Sequence, residues 1–231
     1  MIIGDTHGDW GSLNTLLAKH RPAIAIQVGD FGYWPKLPEL VSTCYSMRKK
    51  VKVKTLKIPF GTKLYFCDGN HEDHDSLDAF MRGKNWRIPH MIWENVYYCP
   101  RGSTLTLPDG RNVLFFGGAD SIDKMGRTPG LTWFPQEVPR YHEVDRALSL
   151  ETPVHIVVSH TVPNEWLPDE IKVEKIQDPT RSMLSAILEK HKPTEWYSGH
   201  WHRERRGVYE GTRWLSLDYS DHHYGRWWVK I

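Results

Sequence analysis

No stretch of this sequence stays apolar long enough to cross a membrane as a helix, so no membrane span is expected. The opening Met1-Ile2-Ile3-Gly4 is too short to be the apolar core of a signal peptide. Cysteine is scarce. Cys44, Cys67 and Cys99 are odd in number and fit no zinc spacing. That argues against a disulfide framework and a thiolate metal site, leaving buried free thiols and a cytoplasmic location as the expectation. A surplus of one charge is missing too. With 30 Lys and Arg against 28 Asp and Glu, the net charge of +2 does not by itself indicate a nucleic-acid or membrane partner. No repeat, low-complexity tract or Ser-, Gly- or Pro-rich linker divides the chain. Residues 1–231 are therefore expected to form one domain with a large core.

What is abundant is tryptophan, with 11 residues scattered along the chain. Most should pack in or around a core, with one or two free to stack on a substrate base or sugar. Hydrophobic patterning alternates short strands with helices. Strands are expected over 1–4, 23–28, 63–67, 96–98, 103–107, 112–116, 154–158 and 195–197. Helices are expected over 9–20, from Pro38 to about Lys49, and over 73–81, 140–149 and 180–191. Residues 51–58 fit either a strand or a helix. Pro108-Asp109-Gly110 predicts a hairpin, and the segments 206–209, 213–217 and 227–231 predict antiparallel strands.

Five clusters of metal-type ligands stand out against this background. They are Asp5-Thr6-His7, Gly29-Asp30, Gly69-Asn70-His71-Glu72, Ser159-His160 and Gly199-His200-Trp201-His202. Each follows a short apolar strand, and in open α/β sheets sites form beyond the carboxyl ends of strands. If the backbone is extended there, Asp5 and His7 share one side, as do His200 and His202, making two pincers. The Asp30 carboxylate has two oxygens and can bridge two cations. Carboxylates, imidazoles and an amide without thiolate suit Mn²⁺, Fe or Zn²⁺. Two such ions about 3.5–4 Å apart lower the pKa of a shared water and clamp phosphoryl oxygens.

In order and spacing these motifs resemble the calcineurin-like metallophosphoesterase superfamily, and they span nearly the whole chain. The resemblance implies a two-sheet sandwich flanked by helices and a dinuclear metal-dependent phosphoesterase. It implies that Asp5, His7, Asp30 and His202 hold one ion, and that Asp30, Asn70, His160 and His200 hold the second. His71 would contact the phosphoryl group and protonate the leaving oxygen, with attack by a metal-bridging hydroxide. Two departures narrow this reading. The protein Ser/Thr phosphatase branch continues its second motif with an aspartate and an arginine, and Gly29-Asp30-Phe31-Gly32-Tyr33-Trp34-Pro35 has neither. Glu72 does fit that branch. The first strand is also short, with four residues before Asp5, which raises the question of a start upstream of Met1.

The Gly- and Pro-containing stretch 118–138 is expected to be a long loop, and long loops in compact domains are often functional. It carries Asp120, Asp123, Lys124, Arg127 and Trp133. Lys124 or Arg127 is expected to contact a phosphate, and Trp133 to pack against the substrate. His20, His74, His90, His142, His155, His191, His222 and His223 are left outside the site. The basic stretch Lys49, Lys50, Lys52, Lys54 and Lys57 is expected to be a solvated face. The favoured substrate is a small phosphomonoester or phosphodiester of nucleotide type, with Mn²⁺ the favoured metal. The alternatives are an enzyme acting on single-stranded nucleic acid, a protein phosphatase or a non-catalytic binding protein. Sequence does not set the oligomeric state.

Overall fold

The computed structural model describes residues 1–36, 54–166, 178–220 and 225–231. The expected helix from Pro38, with Cys44 and three of the five clustered lysines, lies outside these residues, as do His222 and His223.

In chain order the elements are β1 (Ile2–Ile3), α1 (Trp10–His20), β2 (Ile24–Gln27), β3 (Lys63–Phe66), α2 (His74–Met81), β4 (His90–Trp93), β5 (Val96–Tyr98), β6 (Ser103–Thr106) and β7 (Asn112–Phe116). They continue with α3 (Tyr141–Leu148), β8 (Ile156–Ser159), α4 (Pro179–His191), β9 (Glu195–Ser198), β10 (Arg205–Tyr209), β11 (Thr212–Ser216) and β12 (Trp228–Val229). Two six-stranded sheets result, ordered β12-β1-β2-β3-β5-β4 and β10-β11-β9-β8-β7-β6. In each, four parallel strands are flanked by an antiparallel strand at either edge.

Period-two alternation sends each strand's side chains to two cores. On β3, Leu64 and Phe66 pack with Trp10, Leu13, Leu17, Leu77 and Met81 of α1 and α2. Tyr65, and Cys67 just beyond the strand, face the other way and pack with Val113, Phe115, Ile156 and Val158 of the second sheet. On the far side of that sheet, Leu114, Phe116, Val157 and Trp196 meet Val144, Ala147, Leu184 and Ile187 of α3 and α4. The layers therefore run helix, sheet, sheet, helix, as the family resemblance implied. Strands buried on both faces read as short unbroken apolar runs, which is why β2, β7 and β8 were visible in the sequence. Helices α1, α2 and α4 begin on capping aspartates. Asp9 accepts from the Ser12 amide at 3.1 Å and Asp73 from the Ser76 amide at 2.9 Å.

Three expectations need correction. Residues 54–58 form neither strand nor helix. Strand β4 was not foreseen, because its Met91 and Trp93 are exposed and its register with β5 is bulged, so it carries no inward apolar alternation. And β11 is not purely antiparallel. It pairs antiparallel with β10 but parallel with β9, because the chain passes out to the edge as β10 and returns between them. That inner place suits its residues, Leu215 entering the inter-sheet core and Trp214 the helix-side core.

Candidate metal centre

Asp5, Asp30, Asn70, His160 and His200 all lie just past the C-terminal ends of parallel strands, the first three on one sheet and the two histidines on the other. Asp5, His7, Asp30 and His202 each offer a ligand atom, all within 4.8 Å of one another. His7 Nε2 lies 2.9 Å from His202 Nε2, which is 3.3 Å from Asp5 Oδ2. Beside this group, Asn70 Oδ1 lies 3.0 Å from both His160 Nε2 and His200 Nδ1. Asp30 joins the two groups, with Oδ2 3.7 Å from His7 Nδ1 and Oδ1 3.4 Å from His160 Nε2. Separations of this size fit donors converging on cations at about 2.1 Å.

The route to convergence differs from the expected pincers. His7, Asp30, His200 and His202 have φ of 44°, 53°, 69° and 51°, so these segments are left-handed turns and not extended chain. The loops are held by one another. The Thr6 and His7 amides both donate to Asp30 O at 3.2 and 2.7 Å, and the His200 amide donates to Asp5 Oδ2 at 2.9 Å. Glu72 accepts from the Gly32 amide at 3.1 Å and the Gly69 amide at 2.6 Å, tying the Asp30 loop to the Asn70 loop. Two glycines are required by close approach: a Cβ on Gly69 would overlap the Asp30 carboxylate, and one on Gly199 would overlap Asp5 Oδ1.

The electrostatics call for positive charge. Asp5 and Asp30 are fully buried, and among the described residues their ion pairs are all with histidines. Asp5 Oδ1 is buried without a hydrogen-bond partner among the described residues. Burial alone would raise the Asp30 carboxyl, but the His160, His71 and His7 imidazoles hold it well below the usual range. Burial likewise opposes a charge on His160, yet Asp30 and Asp5 push its pKa up to about 10. Burial keeps His7 and His200 neutral, the form in which imidazole ligates. This donor set fits hard or borderline divalent cations.

His71 sits at the rim of the cluster. Its amide donates to Asp30 Oδ1 at 2.9 Å, and its carbonyl accepts from Trp34 Nε1 at 2.9 Å. Burial holds the ring neutral, its pKa lowered to about 4. Arg127 approaches from the loop, with Nη2 2.8 Å from His71 Nε2 and Nη1 donating to Asn70 O at 3.1 Å. Arg127 also pairs with Asp123 at 2.6 Å. Lys124 donates to both Asp120 oxygens at 2.8 and 2.7 Å. Trp133 is half-buried and makes no hydrogen bond or ring contact to the cluster among the described residues. The loop itself contains two single 3-10 turns, Lys124–Gly126 and Pro135–Glu137.

Sequence reasoning missed Ser121, Glu137 and Tyr219. Ser121 and Glu137, near the two ends of the loop, are buried and bonded to each other. The Tyr219 ring lies 4.6 Å from that of His202. None belongs to a motif, and only their positions in space mark them.

A sequence model of the calcineurin-like phosphoesterase family matches residues 1–204. No curated protein sequence matches the chain. Solved structures do match. One is the crystal structure of phosphopantetheinyl hydrolase from Mycobacterium tuberculosis, 15% identical, with a TM-score of 0.44 and coverage of 95% of this chain and 89% of that one.

Proposed function

This chain belongs to the calcineurin-like phosphoesterases, metal-dependent hydrolases of phosphate esters, and from that premise we propose that it cleaves small phosphomonoesters or phosphodiesters of nucleotide type at a two-metal centre. Asp5, His7, Asp30 and His202 would hold one ion, and Asp30, Asn70, His160 and His200 the other. The observation that carries this reading is Asp30, whose two oxygens face the two groups of donors separately. Mn²⁺ is the favoured ion, and the same donors accept Fe or Zn²⁺. Two such ions, when bound, supply charge neutralisation at the phosphoryl oxygens and a more acidic water.

The protein's own groups would do the rest. Arg127 donates to His71 Nε2 in the resting arrangement. A phosphoryl dianion at this rim would draw the guanidinium donors to its oxygens and leave Nε2 open. Its negative charge would also raise the proton affinity of a ring that burial now keeps neutral. His71 would then hold a proton at Nε2 facing the leaving oxygen, with its backbone fixed by Asp30 and Trp34. Arg127 reaches His71 Nε2 and Asn70 O at the rim of the cluster, whereas Lys124 is held by Asp120, so Arg127 is the stronger assignment for that contact. Trp133 remains the candidate for the organic part of the substrate.

Among the described residues no helix is long and apolar enough to cross a membrane. Cys67 and Cys99 are buried free thiols, in keeping with the cytoplasmic setting we favour. We take residues 1–231 as one catalytic domain. The test is turnover of p-nitrophenyl phosphate and bis-p-nitrophenyl phosphate by metal-stripped protein reloaded with Mn²⁺. Hydrolysis of either ester that disappears in Asp30→Asn is expected, and the preferred ester sets the substrate class. Protein that binds no metal would overturn the reading.

A further inference from the structure

Asn70 presents its amide oxygen to His160 Nε2 and His200 Nδ1 at 3.0 Å each. An amide has two ends of nearly equal size, one able to ligate a cation and one not, and its surroundings decide which faces the site. Behind Asn70, Nδ2 donates to Ser121 Oγ at 2.9 Å. Ser121 in turn donates its only hydroxyl proton to Glu137 Oε2, so its lone pairs are left for Asn70. The other Glu137 oxygen is held by the Phe134 amide at 3.3 Å and Arg127 Nη1 at 3.5 Å. Ser121 and Glu137 are each 1% exposed, too buried for water to take over these bonds.

From this geometry we infer that Ser121, backed by Glu137, is a positioning residue that fixes the Asn70 amide with its oxygen toward the metal centre. The inference rests on the reading of Asn70 as a ligand. It also gives the 118–138 loop a second task besides carrying Arg127, since both ends of the relay belong to it. Outer partners of metal ligands typically change metal affinity or activity about 10–100-fold.

The test is calorimetric titration of metal-stripped protein with Mn²⁺, which reads binding independently of turnover. Wild type is expected to show two binding events, and Ser121→Ala should weaken one of them about tenfold or more. In an Asn70→Asp background the same replacement should change affinity by less than about twofold, because a carboxylate offers an oxygen at either end. Ser121→Cys fills nearly the same space with a poor acceptor. It should reproduce the loss if the alanine variant does not fold. Unchanged affinity in Ser121→Ala, or equal weakening in both backgrounds, would overturn the positioning role. If Asn70→Ala itself leaves both events intact, the ligand assignment fails first, and the two failures are thereby told apart.

Discussion

At Gly199 and Gly69 the absence of a side chain is a structural requirement of the proposed metal centre. A methyl group at either position would occupy the space of an Asp5 or Asp30 oxygen, and buried carboxylates in crowded loops have little room to yield. Gly199→Ala and Gly69→Ala should each lower Mn²⁺ affinity and turnover by more than about tenfold while the far-UV circular dichroism stays native. Titration calorimetry and steady-state kinetics would show it. The glycines were legible as motif members, but their reason was not, because it lies in residues about 40 and 190 positions away along the chain. The same is true of the turns. Choosing Asp5, His7, His200 and His202 from their i, i+2 spacing named residues that do converge, while the left-handed φ of three of them shows that the extended-chain argument was wrong. Non-glycine residues in this region cost about 1–3 kcal/mol each, and the interlocking hydrogen bonds between the loops hold them there.

At the scale of elements, Arg101 fastens the site to its support. Buried just after β5, it bonds Asp68 through Nε at 2.9 Å and Glu143 of α3 through Nη1 at 3.1 Å. It also bonds the loop carbonyl of Gln136 at 2.8 Å. Burial alone would raise the Asp68 carboxyl, but the Arg101 guanidinium holds it below the usual carboxylate range. A carboxyl depressed in the folded state contributes stability that is complete above its unfolded value of about 4 and is lost as pH falls through the folded value. Arg101→Met should therefore lower the unfolding free energy at pH 7 by about 3–5 kcal/mol, since it strands a buried carboxylate. The deficit should shrink as pH falls from neutral, first as the stranded Asp68 carboxyl, its pKa now raised by burial, takes up a proton in the variant, then below about pH 4 as the wild-type pair loses its own contribution. Urea unfolding at several pH values would reveal both effects. The loop itself is visible in the sequence as a Gly- and Pro-containing gap between strands, with Lys124, Arg127 and Trp133 as its candidate residues. Its attachment through Arg101, Ser121 and Glu137 was not, because buried polar networks follow no period along a chain.

At the scale of the whole molecule, the two sheets meet only when their inner faces pack, and the proposed metal centre draws on the strand ends of both. Cations bound there would join the sheets, so removing them should loosen the entire fold. With free metal at about 100 times the dissociation constant, binding adds about 2.7 kcal/mol. A chelator should then lower the melting temperature by about 5–10 °C for a chain of this size, as read by scanning calorimetry. The central strands of the first sheet were legible as short apolar runs, but their order was not, nor was the place of β11, since pairing depends on contacts that no run of residues records.

The distance between first and last members of the centre also bears on how the protein is made. Asp5 leaves the ribosome long before His202 has been translated. At about 5–20 residues per second that interval is roughly 10–40 s. Throughout it, a nascent chain carries the acidic half of the proposed centre without the C-terminal histidines that would complete it. Truncated translation products ending before His200 should therefore bind metal poorly and leave phosphate esters intact, so hydrolysis begins only when synthesis is nearly finished.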